Sequence, residues 1–481
     1  MAKFYITTAI PYVNAKPHIG HALEFIESDT IARYHRILGD EVLLLCGSDD
    51  NALKNVQAAE KEGVPIQEFV DNNSNLFLGL SKKLNVNFDV FQKGSDPKHH
   101  SSSQRLWELC DKNNDIYKKE YQGLYCVGCE LFYEKVELDE RGECLEHPGK
   151  KLERVSEDNY FFKLAKYQSK IYRLIASDNL RIVPEKRKNE VLSFIKQGLK
   201  DISISRSNTR AKNWGVPVPN DSKQRIYVWF DALNIYQSGV GFGSDEKTYK
   251  KWWPADLHVI GKGILRFHAI YWPAFLLSAG LKLPKKIFVH EYITVNGQKM
   301  SKTLGNVLSP IPLIEKYGAD VIRYYLLSKI SPFADGDFSD DKFRKVYNAD
   351  LANGLGNLVA RVAKLCELSN YVNKISPAIF SEAEHIYKED LLEYKFNQAL
   401  EAVWLEIETL DIDINKQKPW ELVKTDLEVS ALHKYLDRYI ADILKIGVLL
   451  KPFLPETAEK IEDQFKGPKI TSQKPLFPRL R

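Results

Sequence analysis

Apolar positions near the start of the chain fall into short runs of different period. Phe4 to Ile6 is a continuous apolar run and predicts a strand. A turn-rich segment with Pro11, Asn14 and Pro17 follows. His18-Ile19-Gly20-His21 then opens a stretch in which Ile19, Leu23, Ile26, Ile31, Tyr34 and Ile37 recur near one helical face, with Gly39 as its stop. Glu41 to Cys46 predicts a second strand. Strand, helix, strand is the opening of a nucleotide-binding α/β fold, whose ligands lie at the carboxyl ends of its strands.

The same reading continues downstream. Asn51 to Gly63 is helical, and an amphipathic region runs on to Phe88. Ile226 to Leu233 reads as a buried strand entering a helix. Leu257 to Gly263 is a buried strand with a glycine-bearing end, Ile264 to Ala279 a helix, and Phe288 to Glu291 another strand. Strands alternating with helices argue for a parallel sheet. From about Asn348 the alternation stops. Leu351 to Leu368, Leu391 to Leu410 and Ser430 to Leu450 are helical by period, which predicts a separate bundle.

Length and composition narrow the class. The chain has 481 residues, 44% hydrophobic and 27% charged, so it can bury a large core and is ordinary in make-up. Its net charge of +4 means that a nucleic acid would meet a local basic face, not the whole surface. Residues 181–212 carry nine Lys or Arg against three acids, which suits phosphate contact or simply a solvated face. No apolar run reaches membrane-spanning length and no charged-then-apolar leader opens the chain, so a cytoplasmic protein is expected.

Candidate chemistry sits at a few places. Cys46-Gly47-Ser48-Asp49-Asp50 puts a carboxylate at a strand tip, fit to meet an amine or to cap a helix. Cys126-Val127-Gly128-Cys129 and Cys144-Leu145-Glu146-His147 are two short chelating turns. Cys126, Cys129, Cys144 and His147 together form a four-ligand set that suits one tetrahedral, structural Zn²⁺. The aromatics Trp229, Tyr236, Phe267 and Trp272 are either core or the walls of an apolar pocket. In the loop after Asn296-Gly297, Lys299 and Lys302 flank Met300 and Ser301 and offer two cations to a polyphosphate. In the helical region, Asn357 and Arg361 share a helix face and Trp420 follows Lys418-Pro419. These are a base-reading set or a surface pair beside a core Trp.

Two of these motifs belong together. His18-Ile19-Gly20-His21 and Lys299-Met300-Ser301-Lys302-Thr303 resemble the two signature sequences of class I aminoacyl-tRNA synthetases, the second with Thr for the usual final Ser. Ala9-Ile10-Pro11-Tyr12, Tyr227-Val228-Trp229-Phe230-Asp231-Ala232, Phe267 to Pro273, the single zinc knuckle and Gln417-Lys418-Pro419-Trp420 resemble the methionyl-tRNA synthetases in particular. The resemblance covers essentially the whole chain.

It implies a Rossmann-type α/β catalytic domain with an inserted zinc-knuckle domain and an all-α C-terminal bundle. The expected boundaries are 1–112 and 226–305 for the two catalytic halves, 113–225 for the insertion, 306–347 for a stem-contact region and 348–481 for the anticodon-binding bundle. It implies His18, His21, Lys299 and Lys302 as catalytic groups. Pro11, Gly20, His21, Gly261, Val295, Lys299, Ser301 and Lys302 would take ATP with Mg²⁺. Ile10, Tyr12, Asp49, Trp229, Ala232, Leu233, Tyr236, Ile264 and His268 would take L-methionine, and Asn357, Arg361 and Trp420 the anticodon of tRNA(Met). Some family members add a dimerising domain; a chain of this length implies a monomer.

Three departures stand out. Gly263 replaces a common Asp that would touch the ATP ribose, Asn51-Ala52 replaces a common His-Gly, and Glu291 replaces a common Gly. The alternatives are another class I synthetase, a small adenylyltransferase sharing the His-x-Gly-His element, or a non-catalytic tRNA-binding relative. Against them stand the missing length for an editing insertion, the closed zinc set, and the presence of both signatures with a helical bundle.

Overall fold

The computed structural model describes residues 2–126, 131–133, 138–144, 149, 152–300, 305–375, 385–423 and 426–480. They form two compact units. The first comprises Met1–Pro17, Gly39–Ser81 and Asn87–His290, the second His18–Leu38, Lys82–Val86 and Glu291–Arg481.

The first unit is built on a six-stranded parallel sheet. Its order is Val90–Lys93, Glu41–Ser48 (β2), Lys3–Thr7 (β1), Leu257–Gly261, Lys286–His290, Arg181–Val183. The central strands are apolar on both faces because helices cover both sides, as a parallel sheet requires. Tyr5, Ile6, Leu44, Leu45, Val259, Ile260 and Phe288 are wholly buried. Strand order reverses between β1 and Leu257–Gly261, so the crevice for a ligand opens where those two strands end. The edge strand Arg181–Val183 comes from the segment 113–225. That segment also contains a four-stranded antiparallel sheet around Ile116–Cys126 and Glu153–Phe162, and the helices Gln168–Ala176 and Glu185–Lys196.

The second unit starts with the helix Ile19–Ile37 (α1), ended as expected by Gly39 in a left-handed conformation, φ 86°. It continues through the helix Ala319–Lys329 into a bundle made chiefly of Asn357–Leu368, Phe396–Gln417 and Asp426–Leu450. The single helix expected over Leu391 to Leu410 is broken. His385–Leu392 and Phe396–Gln417 are separate, with Tyr394 at φ 62° between them. Ahead of Asn357 the backbone runs as a π-helix, Tyr347–Gly356.

One buried residue ties the second unit together. Arg323 donates from Nε to the Phe453 carbonyl at 2.6 Å and from Nη2 to the Pro452 carbonyl at 2.9 Å. Its Nη1 lies 2.8 Å from Asp29 Oδ2 on α1, and both side chains have no exposure at all. Asp29 is shared with Arg33, whose Nε is 2.6 Å from the same oxygen.

The run Ile226 to Leu233 does carry a strand into a helix, with the change of form at its very start. The strand is Asp221–Ile226, and Val228–Leu233 is a short helix. An apolar run of this length has no period to separate the two forms, and here the helix turns Trp229 into the core beside Phe267.

Candidate active site

The carboxyl ends of the central strands gather most of the residues expected around an amino acid. Ile10 and Tyr12 follow β1, Asp49 follows β2, and Ile264 and His268 follow the strand Leu257–Gly261. Tyr12 and Asp49 pair as an isolated parallel bridge, and Asp49 donates its backbone N–H to the Pro11 carbonyl at 2.9 Å. Asn55 Nδ2 holds the Asp49 carbonyl at 2.7 Å. The Asp49 backbone is thereby fixed, and the residue is 2% exposed.

Aromatic rings build the wall. Trp229 stacks on Phe267 with centroids 3.7 Å apart and takes the edge of Tyr12 at 6.0 Å and of His268 at 6.4 Å. Lys54 Nζ, from the first turn of the helix Leu53–Glu62, sits 3.0 Å from the Tyr12 ring centroid. Ala232, Leu233 and Tyr236 are buried on the following turns. His268 Nδ1 lies 2.9 Å from the Ile264 carbonyl, which can only accept, so Nδ1 carries the proton. Nε2 is then an acceptor, and the Tyr236 hydroxyl donates to it at 2.8 Å. Burial pulls the His268 pKa down to about 4, which keeps the ring neutral. His258, whose ring lies 4.4 Å from that of Tyr236 at a tilt, is likewise depressed by burial.

The departure at Asn51 has a structural answer. Its amide donates to Asp231 Oδ2 at 2.6 Å and to the Gly94 carbonyl at 2.8 Å. Asp231 Oδ1 takes His99 Nε2 at 2.8 Å and Ser103 Oγ at 2.7 Å. Burial, the largest single influence, would raise the Asp231 pKa; His99, His100 and Asn51 together outweigh it and hold the carboxyl below its usual range. Gly263 is exposed in the turn Lys262–Ile264.

In the second unit the first signature forms its own cap. His18 is the N-cap of α1. Its Nδ1 accepts from Gly20 N–H at 3.1 Å, and His21 Nδ1 accepts from His18 N–H at 3.1 Å. A ring nitrogen that accepts carries no proton, so in the neutral rings Nε2 is the N–H on both. The rings lie 3.9 Å apart at a tilt of 30°, two donors at a helix N-terminus, an arrangement that favours an anion. A Cβ on Gly20 would stand 3.0 Å from His18 Cε1, so glycine is what lets the ring close over the backbone. The Met300 methyl carbon is 3.9 Å from that same point, and Ile19 N–H donates to the Leu308 carbonyl at 2.9 Å. Both ends of the second signature loop thus reach α1. Val295 and Lys299 lie on the hairpin Ile293–Val295 and Gln298–Lys299, and Lys299 Nζ is 5.6 Å from the Tyr292 ring. Ser301 and Lys302 lie outside the described residues.

Two of the three residues expected to read bases, Arg361 and Trp420, come together in the bundle. Arg361 reaches Asp411 at 2.5 Å and Asn415 at 2.7 Å, and its guanidinium stands 5.5 Å over Trp420. Asn357 is one turn before Arg361 on the same helix. Trp420 is 45% exposed, so it is not a core residue. Asp411 and Asn415 escape a reading of the sequence because they sit on another helix. Their four-residue spacing is a signal only once Arg361 is known to face them.

Two expectations about charge and metal meet less. In residues 181–212, Lys188, Arg187, Arg210 and Lys212 are paired with Asp178, Glu190, Glu153 and Glu60, so these four offer no open basic face. Cys126 and Cys144 are buried. Cys144 Sγ lies 3.3 Å from Tyr133 Oη. Cys129 and His147 lie outside the described residues, and no cluster of three metal-binding side chains occurs among those described. A cavity of about 240 Å³ lined by Lys316, Asp320, Tyr347, Lys460 and Arg479 lies in the second unit and contains none of the expected site residues.

A family model described as tRNA synthetases class I (M) matches residues 4–363. A methionine–tRNA ligase of Rhizobium meliloti is 39% identical over 99% of this chain and 98% of its own. The chain belongs to the class I methionyl-tRNA synthetase family. The Thermotoga maritima methionine–tRNA ligase is 40% identical over 95% of this chain and 74% of its own. Among solved structures, Mycobacterium tuberculosis methionyl-tRNA synthetase in complex with methionyl-adenylate matches with a TM-score of 0.91 at 36% identity, covering 100% of both chains. The free form of that enzyme matches with a TM-score of 0.84 at 33% identity, covering 100% of this chain and 99% of its own. The α/β fold with a parallel sheet and a helical bundle is therefore that of the family. Among the described residues, no helix is long and apolar enough to cross a membrane.

Proposed function

We propose that this chain is an ATP-dependent methionine–tRNA ligase. It activates L-methionine with ATP–Mg²⁺ to methionyl-adenylate and transfers the methionyl group to the terminal ribose of tRNA(Met). The full-length match to a relative solved with methionyl-adenylate carries this reading.

In the first step a methionine carboxylate oxygen bonds to the α-phosphorus as the bond to the β-phosphate oxygen breaks, and pyrophosphate leaves. In the second, a ribose hydroxyl attacks the adenylate carbonyl and AMP leaves with the bonding pair. Neither step needs a covalent enzyme nucleophile. Catalysis is positioning plus stabilisation of phosphate charge. The Nε2–H donors of His18 and His21, with Lys299 and Lys302, would serve the phosphates. Pro11, Gly20, Gly261, Val295 and Ser301 would shape the ATP site. Asp49 would hold the ammonium, and Ile10, Tyr12, Trp229, Ala232, Leu233, Tyr236, Ile264 and His268 the side chain. Asn357, Arg361 and Trp420 would read the anticodon.

The soft donor set of Cys126, Cys129, Cys144 and His147 would hold one zinc ion. Burial of the two described cysteines supports the assignment, and the ion would brace the knuckle of segment 113–225. Segments 1–112 and 226–305 would act in catalysis, 306–347 in stem contact and 348–481 in anticodon binding, in a monomer of the cytoplasm.

Amino-acid-dependent ATP–pyrophosphate exchange with each of the twenty amino acids tests the function. Exchange with methionine alone is expected. Exchange with a different amino acid, or with none, overturns the reading.

A further inference from the structure

Three elements of the amino-acid site share one buried hub. Asp231 stands two residues after Trp229 on the same short helix, and that helix has no side-chain cap of its own. Asn51, which donates to Asp231 Oδ2 at 2.6 Å, stands two residues after Asp49. His99 bonds Asp231 Oδ1 through Nε2 at 2.8 Å. Through Nδ1 it reaches Ser238 Oγ at 2.7 Å, and Ser238 stands two residues after Tyr236. Each spoke thus ends two residues from a side chain expected to touch methionine. His99, Ser103, Asp231 and Asn51 are all at least nine-tenths buried.

Hydrogen-bond chemistry fixes the direction of the links to Asp231. The Asp231 carboxylate can only accept, so His99 Nε2 must carry a proton and donate. In the neutral ring Nδ1 then accepts from Ser238. Both protons of the Asn51 amide are used, one on Asp231 and one on the Gly94 carbonyl. No other charged side chain touches either Asp231 oxygen among the described residues.

We propose that His99, with Asn51, is a positioning residue that sets the distance from the Asp49 carboxylate to the Trp229 and Tyr236 walls. The hub thereby gauges the length of the amino acid between its ammonium and the end of its side chain. His99 touches no substrate; it acts through Asp231 and Ser238. This rests on the proposed amino-acid site.

The test uses His99→Gln and His99→Asn in pyrophosphate exchange. A Gln amide nitrogen stands in for Nε2 and keeps the Asp231 link while losing Ser238. An Asn amide stands in for Nδ1 and keeps the Ser238 link while losing Asp231. His99→Asn should raise KM for methionine by roughly 10- to 100-fold, with His99→Gln in between. KM for ATP should stay within about twofold in both, since a misplaced wall is a loss for one substrate only. Ser238→Ala, a milder change, should raise KM for methionine by a few fold and covers the case in which a His99 variant does not fold. Unchanged KM for methionine, or KM for both substrates rising in step with a lower melting temperature, overturns the proposal. Failure of the underlying function is distinct: the unaltered protein would then show no methionine-dependent exchange.

Discussion

Removing the Arg323 guanidinium should be among the costliest single changes in the second unit. Arg323→Met leaves a side chain of similar reach without its charge. Asp29 loses one of its two cations while remaining fully buried, and the Pro452 and Phe453 carbonyls lose their donor. Breaking a buried pair from one side costs about 3–5 kcal/mol, and each orphaned carbonyl adds about 1–3 kcal/mol when nothing relaxes. Arg33 remains on Asp29 and is partly exposed, which offsets part of the loss. With the two carbonyls relaxing onto other donors, the broken pair alone sets a net cost of about 4 kcal/mol. At a slope of roughly 2 kcal/mol per molar urea, the unfolding midpoint should fall by about 2 M. The transition to follow is that of the second unit, by helical circular dichroism, because a chain of two compact units need not unfold in one step. Asp29→Leu combined with Arg323→Met should recover much of the loss, since an apolar replacement leaves no buried charge behind. A midpoint shift under about 0.5 M for the single variant, or a double variant as unstable as both singles added, would sink the reasoning.

Further outcomes follow from the sites. His21→Ala should slow pyrophosphate exchange by ~100- to 1000-fold, as does loss of an oxyanion donor; an unchanged rate removes His21 from the chemistry. Trp420→Ala should weaken charging of tRNA(Met) by roughly tenfold, the scale of one lost base stack, while leaving exchange without tRNA intact. Equal loss in both assays would count against base reading. His268 has a folded pKa of about 4 against the ordinary 6.5. Between these values the unfolded chain binds the extra proton, so stability is full above about pH 6.5 and declines as pH falls toward 4. Chemical unfolding of His268→Gln should show a shallower acid limb than the unaltered protein; an identical limb refutes the assignment.

The signature helix was legible because its start, its apolar face and its glycine stop all lie within one short stretch of sequence. The strand order was not. Nothing in the residues themselves places Leu257–Gly261 beside β1, since that pairing joins segments some 250 residues apart. At Trp229 the passage from strand to helix was legible but its boundary was not, because a short apolar segment has no period of its own. Trp420 was ambiguous for a similar reason: a lone Trp gives no hint of exposure. The His99–Asp231–Asn51 hub was out of reach, since its polar members look like ordinary surface residues until the fold buries them together. Asn51 itself was visible as a departure, but its partner was not.

The histidine cap on α1 has a consequence for how the enzyme can fail. The same Nδ1 atoms that close the helix start also fix the outer N–H donors. A substitution that spoils the donors therefore also loosens the helix, by about 1 kcal/mol for a lost cap. In a cell a loss of that size lowers abundance, because partly unfolded chains are cleared. Inactive protein that still bound tRNA would sequester it from working copies. By sharing atoms between folding and chemistry, the cap links the two failures, so that a broken clamp is also a less abundant one.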